Sequence, residues 1–238
     1  MTNFQNTNTN TQDPPHDQLM LLSKYFNEGN FAVVAYQSQI LVEQYPNSVI
    51  LYNIQGTNNA ALGFLDTAID MYKKAISIKP DYAEAYNNMG NAFRAKGNLG
   101  KSIAAHQKAL DIRPDYYKAA FNMGNALHEQ GKFEEAIEAY NNALFINPDY
   151  TKAYNNLGAI LKDQGKLEEA IEAFKNALRI TPDCAEVHNN MGNALQDLDK
   201  LEEAIEAYNR AFSIKPDYSE AHRNLSNIKK YTKNDSHF

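Results

Sequence analysis

The sequence lacks several features that mark particular classes of protein. A single cysteine, Cys184, excludes a disulfide framework within the chain and favours a reducing compartment such as the cytoplasm. No apolar run approaches the roughly 20 residues that a membrane-spanning helix needs. The amino terminus has neither the basic start nor the apolar stretch of a secretory signal. The net charge of −6 argues against a nucleic-acid partner. We therefore expect no membrane and no nucleic acid among its partners.

Catalytic and metal-binding motifs are also missing from the sequence. It contains no phosphate-binding loop and no nucleophile elbow, and its histidines occupy unrelated positions that make no ligand set. Paired glutamates occur in Glu-Glu-Ala-Ile-Glu-Ala runs, but these runs recur in successive segments, which is typical of a structural surface. We expect no enzyme activity of this chain, no cofactor and no metal.

A strict internal period organises most of the chain. The pattern Ile-x-Pro recurs every 34 residues, at Pro80, Pro114, Pro148, Pro182 and Pro216. This register predicts a disordered Asn-, Thr- and Gln-rich leader over 1–14 and a repeat array over 15–218. The array divides into the units 15–48, 49–82, 83–116, 117–150, 151–184 and 185–218.

Each unit contains two segments with helical periodicity, separated by a glycine or a short polar turn. A glycine recurs within the first segment on its apolar face, although glycine costs about 1 kcal/mol relative to alanine inside a helix. Small residues recur at matching places in the second segment. The pattern predicts closely packed helical hairpins, in which the glycines Gly56, Gly90, Gly124, Gly158 and Gly192 lie in the seam between the two helices.

The pattern resembles the tetratricopeptide repeat (TPR). In the unit from Tyr117 its signature residues are Ala120, Met123, Gly124, Leu127, Ala136, Tyr140, Ala143 and Pro148. The resemblance covers 49–218, while the unit 15–48 departs from it and is expected to be an atypical capping repeat. It implies an all-α fold, a right-handed α-solenoid of six 34-residue hairpins plus a capping helix at 219–233 and a tail at 234–238.

A series of asparagines is predicted to line the concave face of this solenoid. Primary amides offer a donor and an acceptor, as an extended peptide backbone does, and the series resembles the asparagine ladder in the TPR region of O-linked N-acetylglucosamine transferases. The alternative is that these amides bond to neighbouring backbone. The candidate peptide-binding residues are Asn87, Asn88, Asn91, Asn122, Asn125, Asn156, Asn190 and Asn193, with Phe121 as an anchor or a core residue and Lys118 and Lys152 as a basic strip.

Binding of an extended peptide or protein tail is therefore the predicted function. Two alternatives stay open. The segment from Ser219 resembles the junction in bacterial TPR-linked sulfotransferases, so the chain could be the docking or regulatory region of a larger sulfotransferase-like or glycosyltransferase-like enzyme. It could also be a scaffold that stacks end to end through weak self-association.

Overall fold

The computed structural model describes residues 12–235, with side chains described as far as residue 228. This part of the chain forms thirteen α-helices and contains no strand. The first helices of successive hairpins are α1 His16–Asn27, α3 Val49–Ala61, α5 Ala83–Ala95, α7 Tyr117–Glu129, α9 Thr151–Asp163 and α11 Ala185–Asp197. The second helices are α2 Phe31–Gln44, α4 Leu65–Ile78, α6 Leu99–Ile112, α8 Phe133–Ile146, α10 Leu167–Ile180 and α12 Leu201–Ile214, and α13 Ser219–Asp235 follows them. The predicted all-α hairpin repeat is confirmed.

The turn between the two helices of a hairpin needs one residue in the left-handed region. Five hairpins place glycine there, with φ angles between 74° and 82°, and glycine adopts this region without steric cost. In the sixth hairpin Asp199 occupies the same place with φ 59°. A side chain in this region is strained, which makes this turn the least favourable of the six.

The seam of each hairpin pairs a glycine with a ring. A Cβ atom built at Gly158 would lie 2.6 Å from Phe174, and one at Gly192 would lie 2.6 Å from Tyr208. Real Cβ atoms do not approach other atoms so closely, so only glycine allows the ring to lie against the backbone of the first helix. The predicted seam position is thus confirmed for Gly56, Gly90, Gly158 and Gly192.

The first hairpin reverses this arrangement. Its first helix carries the large residue, Leu22, and its second helix carries the small one, Ser38, and both are buried. The leucine therefore fills from one helix the space that a ring fills from the other helix elsewhere. Similar volume, rather than residue identity, is conserved between the hairpins of this chain.

The structure falls into two compact parts that meet between Ala126 and Leu127, within α7. In the amino-terminal part, α3 packs on α2 and α4, and α5 packs on α4 and α6. In the carboxy-terminal part, α9 packs on α8 and α10, and α11 packs on α10 and α12. Helix α13 packs on α12, and its residues Ala221 and Ile228 are both buried.

Only the ends of the predicted leader and tail are described. Residues 1–11 and 236–238 lie outside the described residues, so the leader over 1–14 and the tail over 234–238 stay predictions there. The last leader residues contact the turn before α3. Gln12 Nε2 donates to the carbonyl oxygen of Asn47 at 3.0 Å, and Ser48 Oγ donates to Asp13 Oδ1 at 2.5 Å.

Candidate functional site

The sixth residue of four successive first helices is an asparagine, and these four amides are here called the asparagine series: Asn88, Asn122, Asn156 and Asn190. Their side chains are half-buried. Asn88 Nδ2 donates to Asn53 Oδ1, Asn122 Nδ2 donates to Asn87 Oδ1, and Asn190 Nδ2 donates to Asn155 Oδ1, each at 3.0 Å. One N–H of each of these three amides is therefore held by the preceding repeat.

The acceptors of these bonds are the fifth residues of the preceding first helices. Asn87 is 5% exposed and Phe121, at the same position of the next helix, is 8% exposed. Asn87 was expected to line an open groove, and this placement corrects that expectation. The following repeat covers Asn87 with its own sixth residue, so this amide holds neighbouring repeats together. Phe121 is a core residue, which was the alternative to its role as an anchor.

The ninth residues form a second, half-buried row that includes Asn91, Asn125 and Asn193. In the last hairpin Asn193 Oδ1 accepts from the hydroxyl of Tyr208 at 2.7 Å and from Asn224 Nδ2 at 2.9 Å. The ring that fills the hairpin seam thus also orients the amide of the ninth residue. This link between the two helices was not predicted from the sequence.

The third hairpin lacks the hydrogen bond between the seam ring and the ninth residue. His106 takes the place of the ring and lies fully buried against Gly90, and neither ring nitrogen has a hydrogen-bond partner among the described residues. Asn91 Oδ1 is likewise buried and unpaired within the described part of the chain. Burial, with a smaller contribution from the positive charge of Arg94, lowers the pKa of His106 to about 3. The imidazole is therefore neutral at physiological pH.

A cavity of about 290 Å³ opens beside the asparagine series in the amino-terminal part. Asn88 and Asn91 form its polar side, while Ala61, Ala92 and Tyr72 contribute to its apolar side. A mostly apolar lining with a few polar groups is typical of a ligand-binding pocket. The residues of α3 that shape this pocket were not predicted, because their importance arises only when two hairpins are stacked.

The two predicted lysines are exposed at the starts of their helices. Lys118 Nζ lies 5.9 Å from the centre of the Tyr117 ring, within the range of a cation–π contact. Lys162, in the carboxy-terminal part, is engaged by carboxylates, with Asp163 at 3.0 Å and Asp197 at 4.0 Å. The positive charge of Lys162 is thus partly neutralised.

Two kinds of site are absent from the described residues. They contain no cluster of three or more histidine, cysteine, aspartate or glutamate side chains that could hold a metal ion. Nor does any described helix combine the length and the apolar character that crossing a membrane requires.

The fold and its glycine–ring seams define a helical-hairpin repeat protein. Models of the TPR repeat match residues 59–93, 90–131, 124–165 and 158–199, and a tetratricopeptide-repeat model matches 185–218. These matches span more than half of the chain. The chain therefore belongs to the tetratricopeptide-repeat family, as the resemblance implied.

Solved structures share this fold at low sequence identity. The type IV pilus biogenesis factor PilW is 23% identical with a TM-score of 0.78, and the match covers 87% of this chain and 96% of PilW. Pseudomonas aeruginosa pilF is 14% identical with a TM-score of 0.76, over 89% of this chain and 96% of its own. YrrB, described as a TPR protein with an unusual peptide-binding site, is 23% identical with a TM-score of 0.62, over 78% and 96%. No curated protein matches the chain significantly. These matches support neither of the two transferase resemblances, which stay hypotheses.

Proposed function

We propose that the chain is a protein-interaction module that binds an extended peptide segment of another protein along the asparagine series. The ninth-residue amides Asn91, Asn125 and Asn193 assist it. Lys118 and Lys152 contribute when the ligand is acidic. The chain acts by binding and not by catalysis.

The observation that carries this proposal is the hydrogen bond between the sixth and fifth residues of adjacent repeats. It fixes the orientation of Asn88, Asn122 and Asn190, so that binding a ligand does not require these side chains to be ordered anew. A primary amide has two N–H donors and an oxygen acceptor, and the repeat-to-repeat bond uses one donor. The second N–H and the oxygen can pair with the C=O and N–H groups of an extended backbone, although Asn88 Oδ1 also accepts from Asn87 Nδ2 at 3.4 Å.

The same bond also stabilises the stack, so the structural and the ligand-binding interpretations are not exclusive. The contribution of the bond to stability differs between the asparagines of the series. Asn88 bonds to Asn53, which is half-exposed, whereas Asn122 and Asn190 bond to the buried Asn87 and Asn155. Loss of Asn88 leaves an Asn53 oxygen that water can reach and removes a long bond of 3.4 Å from Asn87 Nδ2. Loss of Asn122 or Asn190 instead leaves a buried oxygen without its bond of 3.0 Å, at about 1–3 kcal/mol. Asn88 is therefore the best residue at which to separate the two roles.

Peptide binding by similar folds supports the proposal at the level of class. YrrB carries a peptide-binding site by its description, and its fold is shared by this chain. The cavity beside Asn88 and Asn91 gives a ligand side chain a place to insert next to the amides.

The test uses a peptide selected for affinity from a random library, because backbone recognition and side-chain recognition respond differently to chemical change. Methylating single backbone nitrogens removes donors in turn, and replacing single side chains by alanine leaves the backbone intact. We expect N-methylation at several positions to weaken binding about 2- to 12-fold each, which corresponds to hydrogen bonds of about 0.5–1.5 kcal/mol. Most alanine replacements should have smaller effects.

Calorimetry measures each affinity. Binding that tolerates N-methylation throughout, but is lost on one or two alanine replacements, would contradict backbone recognition by the asparagine series. Failure to select any peptide would count against the proposed function itself.

A further inference from the structure

Each hairpin in the stack turns one face toward the hairpin before it. The junction between the last two hairpins shows which positions form this face. A cleft of about 330 Å³ there is lined by Met191 and Leu195 of α11 and by Glu203, Glu206 and Arg210 of α12, among others. In the amino-terminal part, the residues Met89 and Phe93 of α5 likewise pack against the core of the preceding hairpin.

The 34-residue period places the same five positions of the first hairpin at Leu21, Tyr25, Val33, Tyr36 and Ile40, which we call the leading face. Leu21 is 45% exposed and Tyr36 is 66% exposed. A cleft of about 310 Å³ lies on this face, and Leu21, Tyr25 and Ile40 contribute to its walls. No described residue covers it, because the described chain begins only four residues before α1.

The leading face is more apolar than the equivalent face inside the stack. Two glutamates and an arginine of the last hairpin are replaced by Val33, Tyr36 and Ile40. Helix α2 carries a single charged residue, Glu43. A terminal repeat that only caps a solenoid has a polar outer face, so the predicted capping role of this unit does not explain its surface. Contiguous apolar surface of this kind marks an interaction site.

We propose that the leading face is a dimer interface, which packs against the leading face of a second copy of the chain around a two-fold axis. Charge favours this occupant. The polar residues that line the cleft are Gln18, Gln37 and Gln44, whose neutral amides both donate and accept. Such a lining is complementary to itself, so two copies can pair these amides across a two-fold axis.

The described side chains of α13 do not offer an apolar counterpart. The outward residues of α13 include Arg223, Ser226 and Asn227, which are polar and exposed. A head-to-tail contact would pair this polar surface with the apolar leading face. A closed, head-to-head pair is therefore favoured over the end-to-end scaffold that the sequence left open.

The size of the leading face sets the expected strength of the dimer. Helix α2 has 14 residues and is about 21 Å long, and two packed helices are about 20 Å wide. The footprint is therefore about 400 Å² on each copy, roughly half that of a standard interface. Interfaces of this size are weak, so we expect a dimer that dissociates at low micromolar concentration.

Analytical ultracentrifugation of the full chain from low to high micromolar concentration tests the proposal. We expect a reversible shift from 26.8 kDa toward twice that mass. Leu21→Arg and Tyr36→Glu should each raise the dissociation constant at least tenfold, and both positions are exposed enough for the fold to survive. Phe145→Arg is the matched control, since Phe145 is 87% exposed and lies outside the leading face.

Cross-linking provides the second readout. In a Cys184→Ser background, Leu21→Cys should form a disulfide-linked dimer under mild oxidation, whereas Phe145→Cys should not. A chain that stays monomeric throughout overturns the proposal and leaves the face to residues 1–11 or to a different protein. Species that keep growing with concentration would indicate head-to-tail stacking and also overturn it. Equal effects of the Leu21→Arg and Phe145→Arg variants would do the same.

Discussion

Replacement of His106 by tyrosine tests whether a ring hydroxyl in the hairpin seam stabilises the repeat by bonding to the amide of the ninth residue. Tyr208, at the same place in its hairpin, lies against Gly192 and donates to Asn193 Oδ1 at 2.7 Å. His106 lies on Gly90 in the same way but is shorter than tyrosine. Its two ring nitrogens and the oxygen of Asn91 are left buried without partners among the described residues. A tyrosine at this position should reach that oxygen.

The expected gain has two sources. The new hydrogen bond should contribute about 0.5–1.5 kcal/mol, and removal of unpaired buried polar atoms relieves a penalty of about 1–3 kcal/mol. Some of this is offset by the larger volume of the ring. We expect His106→Tyr to raise the free energy of unfolding by about 1–3 kcal/mol. His106→Phe, which lacks the hydroxyl, should gain about 1 kcal/mol less, as Phe174 fills the same place without such a bond.

The gain should depend on pH. The pKa of His106 falls from 6.5 in the unfolded chain to about 3 in the folded chain, mainly because the ring is buried. The unfolded state therefore binds a proton below pH 6.5 while the folded state does not, and stability is lost as pH falls through the window between these values. At pH 5 this loss is about 2 kcal/mol. Neither the tyrosine nor the phenylalanine variant has this loss.

Urea unfolding followed by circular dichroism, at pH 7.5 and pH 5, measures both effects. The difference between His106→Tyr and wild type should widen by about 2 kcal/mol on acidification. Comparing variants cancels the titration of the other groups. A destabilised tyrosine variant, or a difference that does not change with pH, would refute the burial and the orientation assigned to His106.

Three further predictions concern stability and are checked by thermal or urea unfolding. Gly158→Leu should destabilise by about 1–3 kcal/mol because its side chain meets Phe174, whereas Glu169→Ala on the exposed side of α10 should stay within about 0.5 kcal/mol; equal midpoints would show the helical frame to be wrong. Asp199→Gly should stabilise by about 0.5–1 kcal/mol by relieving the left-handed strain at φ 59°, and a loss of stability would mean that the aspartate side chain has a compensating role. Deleting 219–238 should lower the midpoint and the solubility, because α13 covers α12; an unchanged midpoint without aggregation would contradict a capping role.

The hairpin fold could be predicted from the sequence because its determinants are local and periodic. The turn glycines, the small residues of the seam and the Ile-x-Pro ends each recur every 34 residues. Because the pattern recurs in every unit, the fold can be predicted even where one unit departs from it, as Asp199 does at the sixth turn. The strain at Asp199 could not be predicted, because the sequence does not give its φ angle.

The candidate site was harder to predict, and the fifth residues show why. A helical wheel places them on the side opposite the core stripe, so Asn87 was assigned to an open groove and Phe121 to either the groove or the core. The wheel considers one helix alone. In the stack, the next repeat covers Asn87 with Asn122, so the burial of Asn87 is decided by a neighbour 35 residues away. The apolar leading face was missed for the same reason, since it is recognised only by comparison with an internal junction.

The most direct test of peptide binding along the asparagine series compares two alanine substitutions in the amino-terminal part of the chain. Asn88 borders the cavity and its amide is half-exposed. Asn58 is the matched control, because it is fully buried and donates to the carbonyl oxygen of Phe31 at 3.1 Å, so that it joins two hairpins but cannot touch a ligand. Calorimetric titration with the selected peptide, alongside thermal unfolding, measures both variants. We predict that Asn88→Ala weakens binding about 2- to 12-fold with little change in stability, while Asn58→Ala lowers stability and keeps the affinity of the wild type. Undiminished binding by a well-folded Asn88→Ala variant would contradict the account.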